Sequence, residues 1–191
     1  ASMMPPAMTA EADVNSMISY APEHSWNYEA GIHYDLADKR VAFDLALFFI
    51  DCKDQQISVV EGFGRVTKNS GRTHSTGVEA ALRYSPIKPL QFSASYGYTH
   101  AVFSENYDGE RSYKGNYVPF APAHTLAVDA TYTLDVNKKC LDAIEFNLGM
   151  TGQGRIYWTE ANDVWQNFYG LLNSSITLRK GMASVSLWGK N

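Results

Sequence analysis

The sequence predicts an all-β protein: an antiparallel up-and-down meander of about eight strands, forming part of a larger transmembrane β-barrel. Three observations predict it. Apolar and polar residues alternate with period two in eight successive runs; tight turns alternate with long polar segments; and the aromatic residues of the apolar face sort by depth along the strands. A chain of 191 residues with 45% hydrophobic residues but a mean hydropathy of −0.27 must interleave the two kinds finely.

The runs can be taken in order. Trp26, Tyr28, Ala30, Ile32, Tyr34 and Leu36 alternate with Asn27, Glu29, Gly31, His33 and Asp35. Val41, Phe43, Leu45, Leu47 and Phe49 oppose Ala42, Asp44 and Ala46. Val78, Leu82 and Tyr84 face away from Glu79, Arg83 and Ser85, and Phe92, Ala94, Tyr96 and Tyr98 from Gln91, Ser93, Ser95, Gly97 and Thr99. His124, Leu126, Val128, Ala130 and Tyr132 alternate with Thr125, Asp129, Thr131 and Thr133. Ile144, Phe146, Leu148 and Met150 alternate with Glu145, Asn147, Thr151, Gln153 and Arg155. Phe168, Leu172, Ile176 and Leu178 oppose Tyr169, Asn173, Ser175, Thr177 and Arg179, and a last run sets Val185 and Leu187 against Ser184 and Ser186. Each is the pattern of a half-buried strand.

Short turns are expected at Ala37-Asp38-Lys39, Pro86-Ile87-Lys88-Pro89, Asn137-Lys138-Lys139 and Lys180-Gly181-Met182, and long loops at 51–73, 104–122 and 159–167. Tight turns at one end and long loops at the other are the layout of outer-membrane barrels. Strands of about 10–14 residues suffice for the ~9–11 that a tilted membrane strand needs.

Alternation alone also fits a soluble barrel or sandwich. Depth sorting favours the membrane. Tyr34, Tyr84 and Tyr132 fall near the short turns, and Trp26, Tyr28, Phe49, Tyr96, Tyr98, Trp158 and Phe168 near the loops. Ile32, Leu45, Val128, Leu148 and Leu172 lie between them, as interfacial aromatic belts around an aliphatic band require. The lysines keep to turns, loops and strand ends. The polar face mixes Glu29, Asp35, Asp44, Glu79, Asp129 and Glu145 with Arg83, Arg155 and Arg179, the pattern of a polar lumen in which the arginines balance the acids.

Several strings resemble TonB-dependent outer-membrane receptors. Pro22-Glu23-His24-Ser25-Trp26-Asn27-Tyr28-Glu29-Ala30-Gly31 is similar to a strand entry of that family, and Asn69-Ser70-Gly71 followed by Gly77-Val78-Glu79 to a later strand. Tyr84-Ser85-Pro86, Ala94-Ser95-Tyr96-Gly97-Tyr98-Thr99 and Pro119-Phe120-Ala121-Pro122-Ala123-His124-Thr125 resemble the hairpins beyond, in the family's order. Tyr169-Gly170-Leu171-Leu172-Asn173 and Leu187-Trp188-Gly189-Lys190-Asn191 resemble its late strands. The resemblance implies that residues 1–20 are the tail of a loop or an added segment, and that 21–191 are a partial barrel lacking the plug domain and the final strands. It further implies a Gram-negative outer-membrane location and TonB-dependent uptake of a scarce ligand such as an iron–siderophore, haem or cobalamin complex. The implied partners are outer-membrane lipid, the plug domain of the same parent chain, TonB through a segment absent here, and a metal chelate or similar small molecule. The alternatives are a small stand-alone outer-membrane barrel with an adhesive or structural role, and a soluble β-sandwich binding module whose dry interior Leu45, Leu126 and Leu148 would line.

Chemistry-bearing motifs are few. A net charge of −4 without a basic run speaks against nucleic acid. His33, His74, His100 and His124 lack metal-ligand spacing, no G-x-S-x-G elbow occurs, and no cofactor is implied, so an enzyme is not expected. Glu29 and Asp44 admit a paired-acid reading across one hairpin, and the simpler reading is a lumen carboxylate network balanced by Arg83 and Arg155. The expected ligand-binding residues are Tyr107, Arg111, Tyr113, Lys114 and Tyr117, with Arg65 and Trp165 on neighbouring loops. They offer aromatic faces and cations to an anionic, conjugated ligand. Cys52 and Cys140 are expected at opposite ends of the strands, as two free thiols.

Overall fold

Residues opposed across an antiparallel ladder point to the same side, so the register tests the alternation directly. Ile32, Leu45, Ala80, Tyr96 and Leu126 are successive partners across five strands. His33, Asp44, Ala81, Ser95 and Ala127 form the neighbouring row on the other face. By the same register Leu45, Leu126, Val128 and Leu148 share one face, and Glu29, Asp44, Glu79 and Asp129 the other.

The computed structural model describes residues 2–4, 18–20, 22–36, 40–61, 64–107 and 111–191, with the backbone alone at 2–4, 18–20, 57–61, 64–68 and 70. Eight strands form one antiparallel sheet in sequence order: β3 (His24–Leu36), β4 (Val41–Glu61), β5 (Gly64–Ile87), β6 (Leu90–Asn106), β7 (His124–Lys138), β8 (Leu141–Gln153), β11 (Tyr169–Lys180) and β12 (Ala183–Lys190). Two ribbons accompany it, β1 (Ser2–Met4) with β2 (Ile18–Tyr20) and β9 (Ile156–Tyr157) with β10 (Trp165–Gln166). This is the expected meander. No second sheet covers the apolar face among the described residues, and Leu148 is 53% exposed. A sandwich with a dry interior is therefore not the architecture.

The turns after Ile87, Lys138 and Lys180 lie at one end of the sheet and the long connections at the other. The expected turn at 37–39 lies outside the described residues. Gly181 takes φ +56° in its turn, a left-handed conformation that glycine adopts without steric cost.

The expected loop at 51–73 is instead strand. β4 runs for 21 residues and β5 for 24, about twice what a membrane strand needs. Backbone pairing continues from Gln55↔Gly71 to Glu61↔Gly64, so this hairpin stands beyond the aromatic belt. Its sequence hid it, because Ile57, Val59, Val60 and Val66 stand among polar residues without a sustained two-residue period. Register is unbroken from Val41 to Cys52 and from Thr73 to Tyr84. The irregularities fall outside that span, at Cys52/Gln55, Gln55/Gln56 and Arg72/Thr73 above it and at Tyr84/Ile87 and Asp135/Lys138 below.

The well-packed part lies at the loop end. Ala101, Val102, Phe103 and Ile156 are the buried apolar residues there, with Asn106 beside them. Across the span, Trp26, Ile32 and Leu172 are each more than half exposed, as hydrocarbon-facing side chains are.

Candidate functional site

Two loops build the site. Beyond its pairing with β7, β6 continues upward to Asn106, and the returning chain runs antiparallel beside it. Tyr113 N–H donates to the Asn106 carbonyl (2.9 Å), Gly115 N–H to that of Phe103 (2.8 Å), and Val118 N–H to that of Ala101 (3.0 Å). Gly115, at φ +87°, makes the reversal possible.

The second loop, 154–168, braces the first. Asn162 accepts from Tyr117 N–H through Oδ1 (2.7 Å) and donates from Nδ2 to the Tyr117 carbonyl (2.9 Å). Asn116 donates to the Glu160 carbonyl (2.8 Å), and Phe120 N–H to that of Tyr157 (2.9 Å). Tyr117 stacks on Tyr157 (5.3 Å between centroids) and makes a T-shaped contact with His100 (5.4 Å).

Of the expected ligand residues, Tyr107, Arg111, Tyr113 and Lys114 are gathered at the tip of the first loop, where Tyr107 bridges to Ser112. Tyr117 lies lower, held between the loops. As the partner of Val102 it shares the face of His100 and Tyr98 rather than the lumen side. Trp165 is on the second loop, paired with Tyr157, and the Arg155 guanidinium sits 5.8 Å from its ring. The Arg65 side chain lies outside the described residues. Sequence reasoning missed Asn162, whose φ of +57° is the left-handed conformation that asparagine tolerates, and the pairing of Arg155 with Trp165.

The polar face lines a concavity of about 550 Å³ bounded by Gly31, His33, Asp44, Glu79, Gly97 and Thr125. The balance of its carboxylates differs from expectation. His33, not Glu29, meets Asp44 (2.5 Å) and Asp35 (3.4 Å), because the register pairs Glu29 with Phe48. Asn147 donates to both oxygens of Asp129 (2.9 Å each), and Arg179 pairs with Glu145 (2.7 Å). Arg83 and Arg155, expected to balance the acids, do not hold these contacts. Arg155 lies beyond the end of β8 and turns to the loop.

Both cysteines are free thiols. Cys52 lies toward the loop end of β4, at the register irregularity between Cys52 and Gln55. Burial pushes its thiol up to about 11, and the hydrogen bond it donates to Glu23 (3.0 Å) adds to the rise. At the other rim Asp142 accepts from Gly181 N–H (2.8 Å) and from Lys180 (2.6 Å), which hold it below the usual carboxylate range.

A family model described as TonB dependent receptor-like, beta-barrel, matches residues 9–191. Among curated proteins, the pesticin receptor of Yersinia pestis is 28% identical over 82% of the chain, and the ferrichrome outer membrane transporter/phage receptor of Escherichia coli K12 is 24% identical over 90%. The chain spans 22% of the length of each. Among solved structures, the ferric yersiniabactin uptake receptor FyuA of Yersinia pestis superposes with a TM-score of 0.74 at 23% identity, over 90% of this chain and 25% of that one.

Proposed function

The chain belongs to the TonB-dependent receptor β-barrel family of the Gram-negative outer membrane, and from that premise we propose that it is the C-terminal part of a receptor barrel that imports a ferric chelate. In this reading the concave polar face receives the plug domain of the same parent chain, and TonB acts on a segment outside residues 1–191. The observation that carries the ligand class is the loop tip, where Tyr107, Arg111, Tyr113 and Lys114 place two cations among aromatic rings. Siderophore complexes are anionic or carry conjugated chelating groups, which such a set holds by charge and stacking. Relatives named for ferrichrome and ferric yersiniabactin support an iron chelate over cobalamin. The reading is tested with the full-length receptor in cells grown under iron limitation. Uptake of labelled ferric siderophores should require TonB, and Arg111→Ala with Lys114→Ala should weaken binding while leaving barrel assembly intact. Uptake that is indifferent to both substitutions would move the ligand site elsewhere.

A further inference from the structure

Four of the five histidines share one face and one depth. His24, His74, His100 and His124 all fall on the apolar side of the register, one on each of β3, β5, β6 and β7. Each stands 10 to 14 residues from the short-turn end of its strand; His24 follows Trp26 and His100 follows Tyr98 toward the loop end, and His124 is the register partner of Tyr98. With strands tilted by about 40° and rising ~3.3 Å per residue, that is roughly 25–35 Å above the opposite rim, the level at which hydrocarbon gives way to headgroups.

At the β3–β4 end of this belt the outer face is hollowed. Trp26, Tyr28, Phe49, Asp51 and Lys53 line a groove of about 290 Å³, with the Tyr28 and Phe49 rings 6.3 Å apart. Lys53 is the register partner of His24, so both stand at its upper lip. The acid in the groove is already taken: Arg72 donates to both oxygens of Asp51 (3.0 and 2.8 Å). The lip therefore presents the Lys53 ammonium, also in the field of Asp51, and the His24 imidazole above an aromatic floor. Further along the belt, the Nδ1 atoms of His74 and His124 meet the hydroxyls of Ser104 (3.3 Å) and Tyr96 (2.8 Å), which leaves Nε2 to a headgroup.

We propose that this groove is a lipid site on the outside of the barrel, taking a phosphorylated glycolipid of the outer leaflet. The acyl chain lies on Trp26, Tyr28 and Phe49, and a headgroup phosphate meets Lys53 and His24. The apolar floor faces the membrane already, and a cationic lip over it complements a lipid whose charge sits directly above its chains. The site rests on the loop end being the cell-surface end, but not on the imported ligand or on TonB.

The test uses full-length receptor, native mass spectrometry, and two probes: diphosphoryl lipid A and the same lipid stripped of its phosphates. Wild type should retain the diphosphoryl form in preference. The double substitution H24Q and K53Q, both at exposed positions, should weaken retention about fivefold, whereas K139Q at the opposite rim should leave it unchanged. Only heat-modifiable, folded barrel is scored. Equal retention by the double variant, equal retention of the phosphate-free lipid, or an equal loss in K139Q would each overturn the proposal.

Discussion

The side-chain amide of Asn162 grips the peptide group of Tyr117 at both ends, taking its N–H at 2.7 Å and giving to its carbonyl at 2.9 Å. It takes the place of a neighbouring strand on the side of Tyr117 away from Val102, where none pairs with it among the described residues. Two such bonds are worth about 2 kcal/mol together. Asn162→Ala should therefore speed amide exchange at Tyr117 by about thirtyfold and leave exchange within β7 and β8 unchanged. Unaltered exchange at Tyr117 would mean that the two loops are joined by their ring contacts instead.

Cys52 donates to Glu23, and burial together with that contact raises its thiol to about 11. At pH 8 it should react slowly with maleimides, accelerating as pH approaches 11. Glu23→Gln removes a contact that disfavours the thiolate and should quicken labelling at fixed pH. Intact cells treated with a membrane-impermeant reagent should be modified at Cys52 and spared at Cys140, which occupies a short turn at the other rim. Labelling at Cys140 alone would invert the topology.

Asp142 ties the β11–β12 turn to the base of β8 through Gly181 N–H and Lys180. Its folded carboxyl titrates below the ordinary value of 3.8. The contribution is therefore complete above that value and is lost as pH falls through the folded one. Urea unfolding of reconstituted receptor should show Asp142→Asn less stable than wild type near neutrality. The two should converge in strong acid, and a difference persisting there would contradict the assignment.

Gly77 admits Phe48 to the polar face. A Cβ there would lie 2.2 Å from the Phe48 ring and 2.4 Å from the Tyr98 carbonyl oxygen. Gly77→Ala should cost ~1–3 kcal/mol or more through overpacking, read as a fall in heat-modifiable barrel after refolding. Adding Phe48→Ala should not restore it, because the carbonyl remains. At Gly97 the tightest contact is the Thr125 hydroxyl, 2.6 Å from such a Cβ, which can rotate, so Gly97→Ala should be milder.

The span was legible because the membrane enforces a rule on every residue within it. Ile32, Leu45 and Leu126 must meet hydrocarbon while Asp44 and Asp129 must not, and period two follows. Above the belt that rule lapses. The hairpin from Gln55 to Asn69 is held by main-chain bonds that require no two-residue period of side chains, and so read as a loop. At the site, the tip residues were visible by type, since Tyr and Arg cluster in sequence. The bracing was not, because Asn162 lies 45 residues from Tyr117 and nothing local marks their meeting. The paired-acid alternative for Glu29 and Asp44 fails on register, which composition does not encode: Phe48, the partner of Glu29, lies four residues along β4 from Asp44.

The bulges at Cys52/Gln55 and Arg72/Thr73 divide the chain into two kinds of text. Below them every position is read in a two-letter frame, and inserting one residue exchanges water for oil along the rest of the strand. Above them the frame has already been reset, so an inserted residue shifts nothing that the bilayer inspects. Peptide tags, grafted loops or fluorophore sites placed between Gln56 and Asn69 should thus be accepted at almost any length, whereas a single extra residue between Phe43 and Phe49 should prevent membrane assembly. The same boundary lets the surface of such a molecule be rewritten for new targets while its anchor is copied without revision.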